Sequence, residues 1–449
     1  MKKNLLILEL NEADFNFFLY GAKKYNFLSI KKFLSGRKKI DTFTKDKNEG
    51  FDLDPWVQWI SVHTGLSSKI HKVFRLGQKI DKSKKQIWDI LSKKKINSTI
   101  WGAFNSALNT KKNIDLFFPD PWSFREKAFP KKFNSFLKLP RYYAKNYPSI
   151  NNFKIIFYGL IFFYKIVFSS SALYFVKIFF PLIKIFWISK LRSFNLYFFL
   201  DLISLVILKK NLKKKKSNLA IIAMNSFAHY QHNYWDTKNY EHVYFWYLNE
   251  MVKIISDIEK YYNSSIVLNG FAQKKIKNEY HLRPKEPISF FKKINLAYQN
   301  IEPNMTTGAI VIFKTFKDKI KAIKKIKDIC LYSYPLFEIQ NFRNEKKFFY
   351  KFSLVSLKKK YHYKSLEKNN YKNFFKKPEK IIKKNNIKKD QKMFLDYIFK
   401  NSVFIKSTSR HVSKGTLFYK NIKIPKKLID TNCRLENKKI FNTILNHFK

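Results

Sequence analysis

The sequence has 449 residues, 45% of them hydrophobic, with a formal charge of +57 and a pI near 10.0. An apolar fraction of this size can form a sizeable core, as one large α/β domain with insertions or as two domains, and it excludes an intrinsically disordered chain. Lysine supplies nearly all of the positive charge, arginine is scarce and no nucleic-acid-binding module is recognisable. We therefore expect no specific nucleic-acid partner.

Two explanations of the basic charge stay open. Lysine occurs together with abundant Phe, Tyr, Ile and Asn, the residue types that AT-rich codons favour, so the charge can reflect codon bias. The alternative is selection for an anionic partner, because a summed positive potential attracts polyanions.

The cysteines and the N-terminal residues indicate the cellular location. Cys330 and Cys433 are far apart in sequence and form neither a disulfide framework nor a CxxC metal motif, as expected in a reducing compartment. The first apolar run is only about seven residues long and lacks a small-residue cleavage site, which predicts a buried strand rather than a signal peptide. We expect a cytoplasmic protein.

Four nearly continuous apolar runs predict strands that are buried on both faces of a parallel sheet. They cover residues 4–10, 98–104, 219–224 and 265–268. Amphipathic segments such as 27–34 and 87–92 lie between them, which predicts an α/β fold with a doubly wound, mainly parallel sheet sandwiched by helices. Each run stops at a polar cluster, namely LNEAD, FNS, NSFAH and NGFAQ. Ligands bind outside the carboxyl ends of such strands, so these clusters are candidates for one shared site.

An aromatic-rich, apolar insertion follows the first part of the core, which we place at residues 1–150. The insertion, residues 151–216, is interrupted by lysines at positions 154, 165, 177, 184 and 190, and each apolar piece is shorter than the roughly 20 residues that span a bilayer. Apolar helices with intermittent lysine predict peripheral membrane contact through residues 153–208, on the inner face of the membrane. Packing on the protein's own core and an oligomer interface remain as alternatives.

The remaining chain predicts a continued core at residues 217–273, a small α+β cap at 274–395 and a C-terminal part of the core at 396–449. Within the cap, TTGAIVIFKTF and FFYKFSLVSL predict strands. KDKIKAIKKIKDI predicts a helix with one apolar face and one lysine-rich, solvated face.

Five segments resemble the alkaline phosphatase superfamily, nearest its type I phosphodiesterase and nucleotide pyrophosphatase branch. They are LILELNEAD, DPWVQWISVHTGLSSKIH, NSFAHYQHNYW, SIVLNGFAQ and STSRHVSKGTLFYK. The first segment implies that Asn11 occupies the position of a metal-binding Asp. The second implies Thr64 as a nucleophile that opens a helix, where unpaired N–H groups and the helix dipole stabilise phosphate. It also places His71 where a His-Gly pair is common.

The other three segments imply a divergent metal site. His232 and His411 match metal-binding histidines, whereas Ala228, Leu268 and Asn269 replace expected ligands. Two hard divalent cations need several carboxylates, and this set has almost none.

The resemblance therefore implies a site for at most one metal ion. We expect one divalent ion, Zn or Mn, held by His232 and His411 with Asn11 or Glu9, or no ion at all. His229 is the candidate general acid for the leaving group.

Some polar and aromatic residues near these motifs have two interpretations. Strand alternation puts Glu9 and Asn11 on one face of the strand and Glu12 and Asp14 on the other, as substitute ligands or as strand-end polar groups. His63 has no role that the resemblance implies. Three tryptophans are expected to pack around the site, namely Trp56, Trp59 and Trp235.

Two functional hypotheses follow from these expectations. The first is a phosphodiesterase or phosphohydrolase that acts on a phosphoester or a related anionic ester. The ELNE, PWxQWxSVHTG and HYQH patterns are similar to those of uncharacterised bacterial members of the superfamily, which suggests surface-glycan or lipid metabolism. The second hypothesis is a catalytically inactive member that binds a glycan, a lipid or a protein.

Overall fold

The computed structural model describes two compact units. One comprises Met1–Lys277 with Thr408–Lys449, and the other comprises Asn278–Ser407. The described residues are 3–47, 53–146, 152–166, 172–190, 192–284, 291–292, 296–303, 308–331, 334–335, 337–352 and 402–449.

The helices and strands of the described residues are numbered along the chain. The strands are β1 (Leu5–Leu10), β2 (Lys38–Phe43), β3 (Ser98–Trp101), β4 (Ile114–Phe118), β5 (Leu219–Met224), β6 (Ser264–Leu268), β7 (Ala272–Pro284), β8 (Asn300–Pro303), β9 (Gly308–Ile312), β10 (Cys330–Leu331), β11 (Tyr334–Pro335), β12 (Phe337–Asn341), β13 (Lys347–Phe352), β14 (Ser402–Val412), β15 (Lys414–Lys420) and β16 (Arg434–Glu436). The helices are α1 (Phe15–Lys24), α2 (Leu28–Ser35), α3 (Pro55–Thr64), α4 (Ser68–His71), α5 (Ile87–Lys93), α6 (Asn134–Asn146), α7 (Asn152–Ile166), α8 (Ala172–Ser189), α9 (Ser193–Lys214), α10 (Ser226–Tyr234), α11 (Lys238–Glu259), α12 (Phe316–Lys327) and α13 (Ile440–His447).

A mostly parallel sheet forms the centre of the first unit. Within the described residues its eight strands follow the order β16-β2-β15-β6-β1-β5-β3-β4. β1 pairs in parallel with both β5 and β6, whereas β15 runs antiparallel to β6 and β2. The four apolar runs of the sequence are the adjacent central strands β6, β1, β5 and β3, which explains why they lack an exposed polar face.

Helices cover both faces of this sheet. Along β1, Leu6, Leu8 and Leu10 face a core that is shared with α1, α2, α9 and α11. Leu5 and Ile7 face the opposite core, to which α3, α5 and α13 contribute. The predicted fold, a doubly wound and mainly parallel sheet sandwiched by helices, is confirmed.

The apolar insertion consists of α7, α8 and α9, which follow α6. α9 packs on α10 and α11, and its inner residues Phe194, Phe198 and Leu202 are completely buried. Among the helices that the structure describes, none is both long enough and apolar enough to cross a bilayer.

The second unit has its own core. β12, β13, β9 and β8 form an antiparallel sheet, and α12 packs on it through Ala322 and Ile326. β9 lies within the first of the three segments that the sequence predicted as strand, helix and strand, and α12 and β13 each begin one residue before the second and third. The part of the last predicted strand beyond residue 352 lies outside the described residues.

Candidate metal centre

The candidate site lies where β1, β5 and β6 end, at the carboxyl edge of the sheet. After Leu10 the chain turns, and the turn bonds to both neighbouring strand ends, from Asn11 N to Met224 O (2.9 Å) and from Glu12 N to Asn269 O (3.1 Å). Glu12 has a φ of 57°, a left-handed conformation that is uncommon for a residue other than glycine. The face alternation of β1 therefore does not extend to Glu12.

Glu12, His232 and His411 form the centre of the site. Glu12 Oε2 lies 2.9 Å from His232 Nε2 and 2.9 Å from His411 Nε2. The two Nε2 atoms are 3.2 Å apart. Glu12 is 2% exposed, whereas the two imidazoles are 32% and 21% exposed. One oxygen and two nitrogens thus converge within 4.8 Å of one another, with the imidazoles on the solvent side.

The outer nitrogens of both imidazoles have partners that fix the rings. His411 Nδ1 donates to Leu53 O. His232 Nδ1 lies 3.3 Å from Ser409 Oγ, and this hydroxyl donates its own proton to Gln273 Oε1 (2.6 Å). Ser409 must therefore accept a hydrogen bond from His232. When neutral, both rings carry their proton on Nδ1 and present the Nε2 lone pair to the centre, as metal-ligating histidines do.

The electrostatics of the cluster favour an ionised carboxylate. Burial alone would raise the pKa of Glu12, but His411 and His232 together lower it well below its ordinary value. Burial lowers the pKa of His411, but the Glu12 carboxylate, assisted by Asp54, outweighs burial and raises it to about 9. Glu12 is thus an anion that attracts positive charge, whether a proton on His411 or a cation.

Two glutamines hold Glu12 in place, and neither was predicted from the sequence. Gln273 Nε2 donates to Glu12 Oε2. Gln231 Nε2 donates to Glu12 O (3.0 Å), and its Oε1 accepts from Asp14 N (3.1 Å). Gln273 lies in NGFAQ, four residues after Asn269, and Gln231 lies in HYQH, next to His232. Their importance arises from a fold-dependent contact with a residue that is distant in sequence.

Glu9, which was predicted as a metal ligand, lies away from the cluster. It shares the face of β1 that packs on α3, and its Oε1 is 2.6 Å from His63 Nε2. Both side chains are 1% exposed. The alternation of β1 explains the difference, because it turns Glu9 into the core. Glu12 replaces it as the carboxylate of the cluster.

Asn11, the other predicted carboxamide or carboxylate ligand, borders the cluster without joining it. Its Oδ1 accepts from Trp59 Nε1 (2.8 Å), so the oxygen that would bind a metal already has a partner. Its Nδ2 donates to Asn225 Oδ1 (2.7 Å) and to Glu12 Oε1 (3.2 Å). Asn11 therefore orients Glu12. It shares with Glu9 the face of β1 that contacts α3, as the sequence predicted.

Thr64 is not brought to the cluster. It lies in the last turn of α3, followed by Gly65 in a left-handed conformation, so the prediction that it opens a helix was wrong. Its hydroxyl donates to Ile60 O (2.7 Å) and accepts from Leu66 N (3.2 Å). It ends the ten-residue helix, about 15 Å long, that follows Leu53 and Asp54, and Leu53 is the residue that contacts His411.

The amino end of α3 borders the cluster instead. Its N-cap residue is Asp54, 2% exposed, with Pro55 in the first turn. The preceding carbonyl, of Leu53, holds His411. An Asp-Pro pair ahead of an apolar stretch is a helix-start signal, and it would have identified the correct end of α3 from the sequence.

His229 lies beside the cluster and is neutral at neutral pH. Its ring stacks on Tyr197 with centroids 3.5 Å apart and planes at 5°, and its Nε2 is 3.2 Å from Asn225 Nδ2. Burial and the neighbouring His232 lower the pKa of His229 to about 3. The predicted role as a general acid requires an imidazolium, which this lowered pKa disfavours.

His71 takes part in a separate, buried group. Its Nε2 is 3.2 Å from Ser61 Oγ, which donates to Asp46 Oδ2 (2.8 Å). Val73 N donates to His71 Nδ1 (3.0 Å), so this nitrogen has no proton and Nε2 bears it. The imidazole therefore cannot accept a proton from Ser61, and the group stabilises the loop after α3 rather than activating a nucleophile.

Comparisons with known proteins give similarity at the level of fold. No protein-family model matches the chain, and no curated protein matches it. The chain is similar to phosphonoacetate hydrolase from Sinorhizobium meliloti, at 9% identity over 99% of this chain and 96% of that chain, with a TM-score of 0.44. It is also similar to murine ectonucleotide pyrophosphatase/phosphodiesterase 5, at 7% identity over 99% and 95% of the two chains, with a TM-score of 0.47. Both proteins belong to the alkaline phosphatase superfamily, which the five sequence segments resemble.

Proposed function

We propose that the protein is a metal-dependent hydrolase of phosphoesters or related anionic esters, with Glu12, His232 and His411 as the metal ligands. The supporting observation is the convergence of one carboxylate and two imidazole Nε2 atoms at the carboxyl edge of a parallel sheet. This edge is where α/β proteins bind ligands. The five segments that resemble the alkaline phosphatase superfamily imply the same class of reaction.

The donor set, one carboxylate and two imidazoles, fits one divalent ion such as Zn or Mn. Two histidines and one glutamate are a known catalytic zinc set, and three protein ligands leave a position for substrate. A bound cation would act as a Lewis acid that polarises a phosphoryl oxygen. The chain's own residues orient the ligands: Ser409 and the Leu53 carbonyl hold the rings, and Gln273 holds the carboxylate.

Metal analysis together with a phosphodiesterase assay tests this proposal. We expect the purified protein to contain about one Zn or Mn per chain and to hydrolyse a nitrophenyl phosphodiester, and we expect His232→Ala to lose both properties, because it removes a ligand. Thr64→Val is the control. Among the described residues the Thr64 hydroxyl bonds only to backbone groups of its own helix and the following turn, so metal content and turnover should change less than about twofold. A metal-free protein without turnover would favour the alternative function, an inactive family member that binds a glycan, a lipid or a protein.

We also propose that the protein is cytoplasmic and makes peripheral contact with an anionic lipid surface, the inner face of the membrane. α7 exposes a stripe of apolar side chains at helical spacing, and α8 exposes another. The residues are Phe153, Phe157, Leu160 and Tyr164 on α7, and Phe180, Ile183 and Trp187 on α8. Lys154 on α7, Lys184 on α8 and Lys190 directly after α8 are exposed and can meet lipid phosphates.

Vesicle flotation tests the membrane proposal. Phe157→Ser with Trp187→Ser is expected to lower the fraction that floats with anionic vesicles several-fold, because it removes apolar side chains that are 53% and 85% exposed. Leu28→Ser, which removes a side chain of α2 that is 58% exposed, is the matched control and should float like the wild type. Equal flotation of both variants would rule out these helices as the contact.

A further inference from the structure

A cavity of about 150 Å³ lies beside the metal centre in the same unit. Its floor is the carboxyl ends of β3, β4 and β5, and its walls are the facing sides of α6 and α9 with one residue of α7. Aromatic and aliphatic side chains dominate the lining, among them Trp101, Phe118, Phe136, Phe162 and Leu200. The rings of Trp101 and Phe118 stack with their centroids 4.2 Å apart, which gives the floor a flat apolar surface.

One end of the cavity touches the hydrogen-bond network of the metal centre. Asn225 and His229 both line the cavity. Asn225 Oδ1 accepts from Asn11 Nδ2 (2.7 Å), and Asn11 Nδ2 also donates to Glu12 Oε1 (3.2 Å). The apolar cavity therefore adjoins the cluster, to which the side chains of Asn225 and Asn11 connect it.

The ionisable groups in the lining are engaged with the protein itself. Asp201 Oδ2 accepts from Asn225 N (3.0 Å) and Ser226 N (2.9 Å) and so caps α10. Asp120 accepts from Trp122 N (2.9 Å) and Asn105 N (3.0 Å). Their oxygens satisfy backbone donors, which makes the cavity suited to an uncharged, apolar group rather than to a second anion or cation.

We propose that this cavity binds the hydrocarbon part of an amphiphilic phosphoester whose ester group lies at the metal centre. This inference rests on the proposed hydrolase function and names its substrate class. A cavity of this size holds a group comparable to benzene, that is, the first few carbons of a chain next to the ester. The rest of the chain can leave along α7, which lines the cavity with Phe162 and exposes apolar side chains such as Leu160 on its outer side.

Calorimetric binding of two phosphonates to the metal-loaded protein tests the proposal without relying on turnover. Each methylene that is buried strengthens binding about fourfold, so hexylphosphonate should bind at least about 100-fold more tightly than methylphosphonate. Ala144→Phe, at a buried position of α6 in the cavity wall, should remove this preference while leaving methylphosphonate binding unchanged. Lys138→Phe, which adds the same side chain on the exposed side of α6, should retain the preference for hexylphosphonate.

The outcomes separate this inference from the proposed function. Equal binding of the two phosphonates by the wild type, or an undiminished preference in a folded Ala144→Phe, overturns the cavity proposal even if phosphodiesters are hydrolysed. A hexyl preference that the Phe abolishes supports the cavity proposal even if turnover is absent. If circular dichroism shows Ala144→Phe to be unfolded, Leu200→Phe in α9 replaces it, with the same expectations.

Discussion

Glu12→Gln is expected to remove the bound metal and to lower turnover by at least about 100-fold while leaving the fold intact. Glutamine has the size of glutamate but no negative charge, and Glu12 is the one anion that the described residues place between His232 and His411. Without it, two imidazoles remain, which bind a divalent cation weakly. Metal content by elemental analysis and kcat/KM for a nitrophenyl phosphodiester measure the two effects.

Asp14→Asn is the matched control, because it makes the same isosteric change two residues along the chain. Asp14 caps α1 by accepting from Asn16 N (2.8 Å) and Phe17 N (3.2 Å), and asparagine caps nearly as well. Metal content and turnover should therefore stay close to wild type. A full metal load in Glu12→Gln, or an equal loss in Asp14→Asn, would contradict the assignment of Glu12.

The fold was largely predictable because its central strands are apolar on both faces. The runs at residues 219–224 and 265–268 match β5 and β6 within one residue. β2 was not predicted: it lies second from one edge of the sheet and has the sequence KKIDTF, with one buried side chain and no continuous apolar run. Strands that are buried on both faces are predictable because burial selects an apolar composition, whereas a strand with few buried side chains is defined by its neighbours in the sheet.

The site was predictable in part, and the reasons differ among its residues. His232 and His411 were identified by motif, and the structure brings them within 3.2 Å of each other. Glu12 was weighed as a substitute ligand, but strand alternation could not place it, because its positive φ breaks that alternation. Gln273 and Ser409 act only through contacts between strands that lie far apart in the chain.

At Thr64 the sequence motif identified a helix correctly but placed the residue at the wrong end of it. The segment around it does form a helix, and the helix does reach the candidate site. The end that does so begins at Asp54, whereas Gly65 marks the other end with a φ of 72°. A Thr-Gly pair fits a helix C-terminus as well as a nucleophile turn, because glycine readily adopts the left-handed C′ conformation.

Glu9→Ala is expected to lower the free energy of unfolding by about 3 kcal/mol and to leave the metal content unchanged. Glu9 and His63 form a hydrogen-bonded pair of 2.6 Å between β1 and α3, with both side chains 1% exposed. Removing the carboxylate leaves the imidazole buried with an unpaired Nε2, in addition to its Nδ1, which already lacks a partner among the described residues. Urea denaturation followed by tryptophan fluorescence suits this test, because Trp59 and Trp88 flank His63.

The double variant Glu9→Leu with His63→Leu supplies the control for this prediction. Replacing both partners by apolar side chains leaves no unsatisfied polar group, so it should be more stable than Glu9→Ala. Together with Glu12→Gln, the pair of experiments distinguishes two carboxylates that lie three residues apart. Loss of metal in Glu9→Ala, at a protein concentration and temperature where it is folded, would restore Glu9 as a ligand and overturn the assignment of roles at the end of β1.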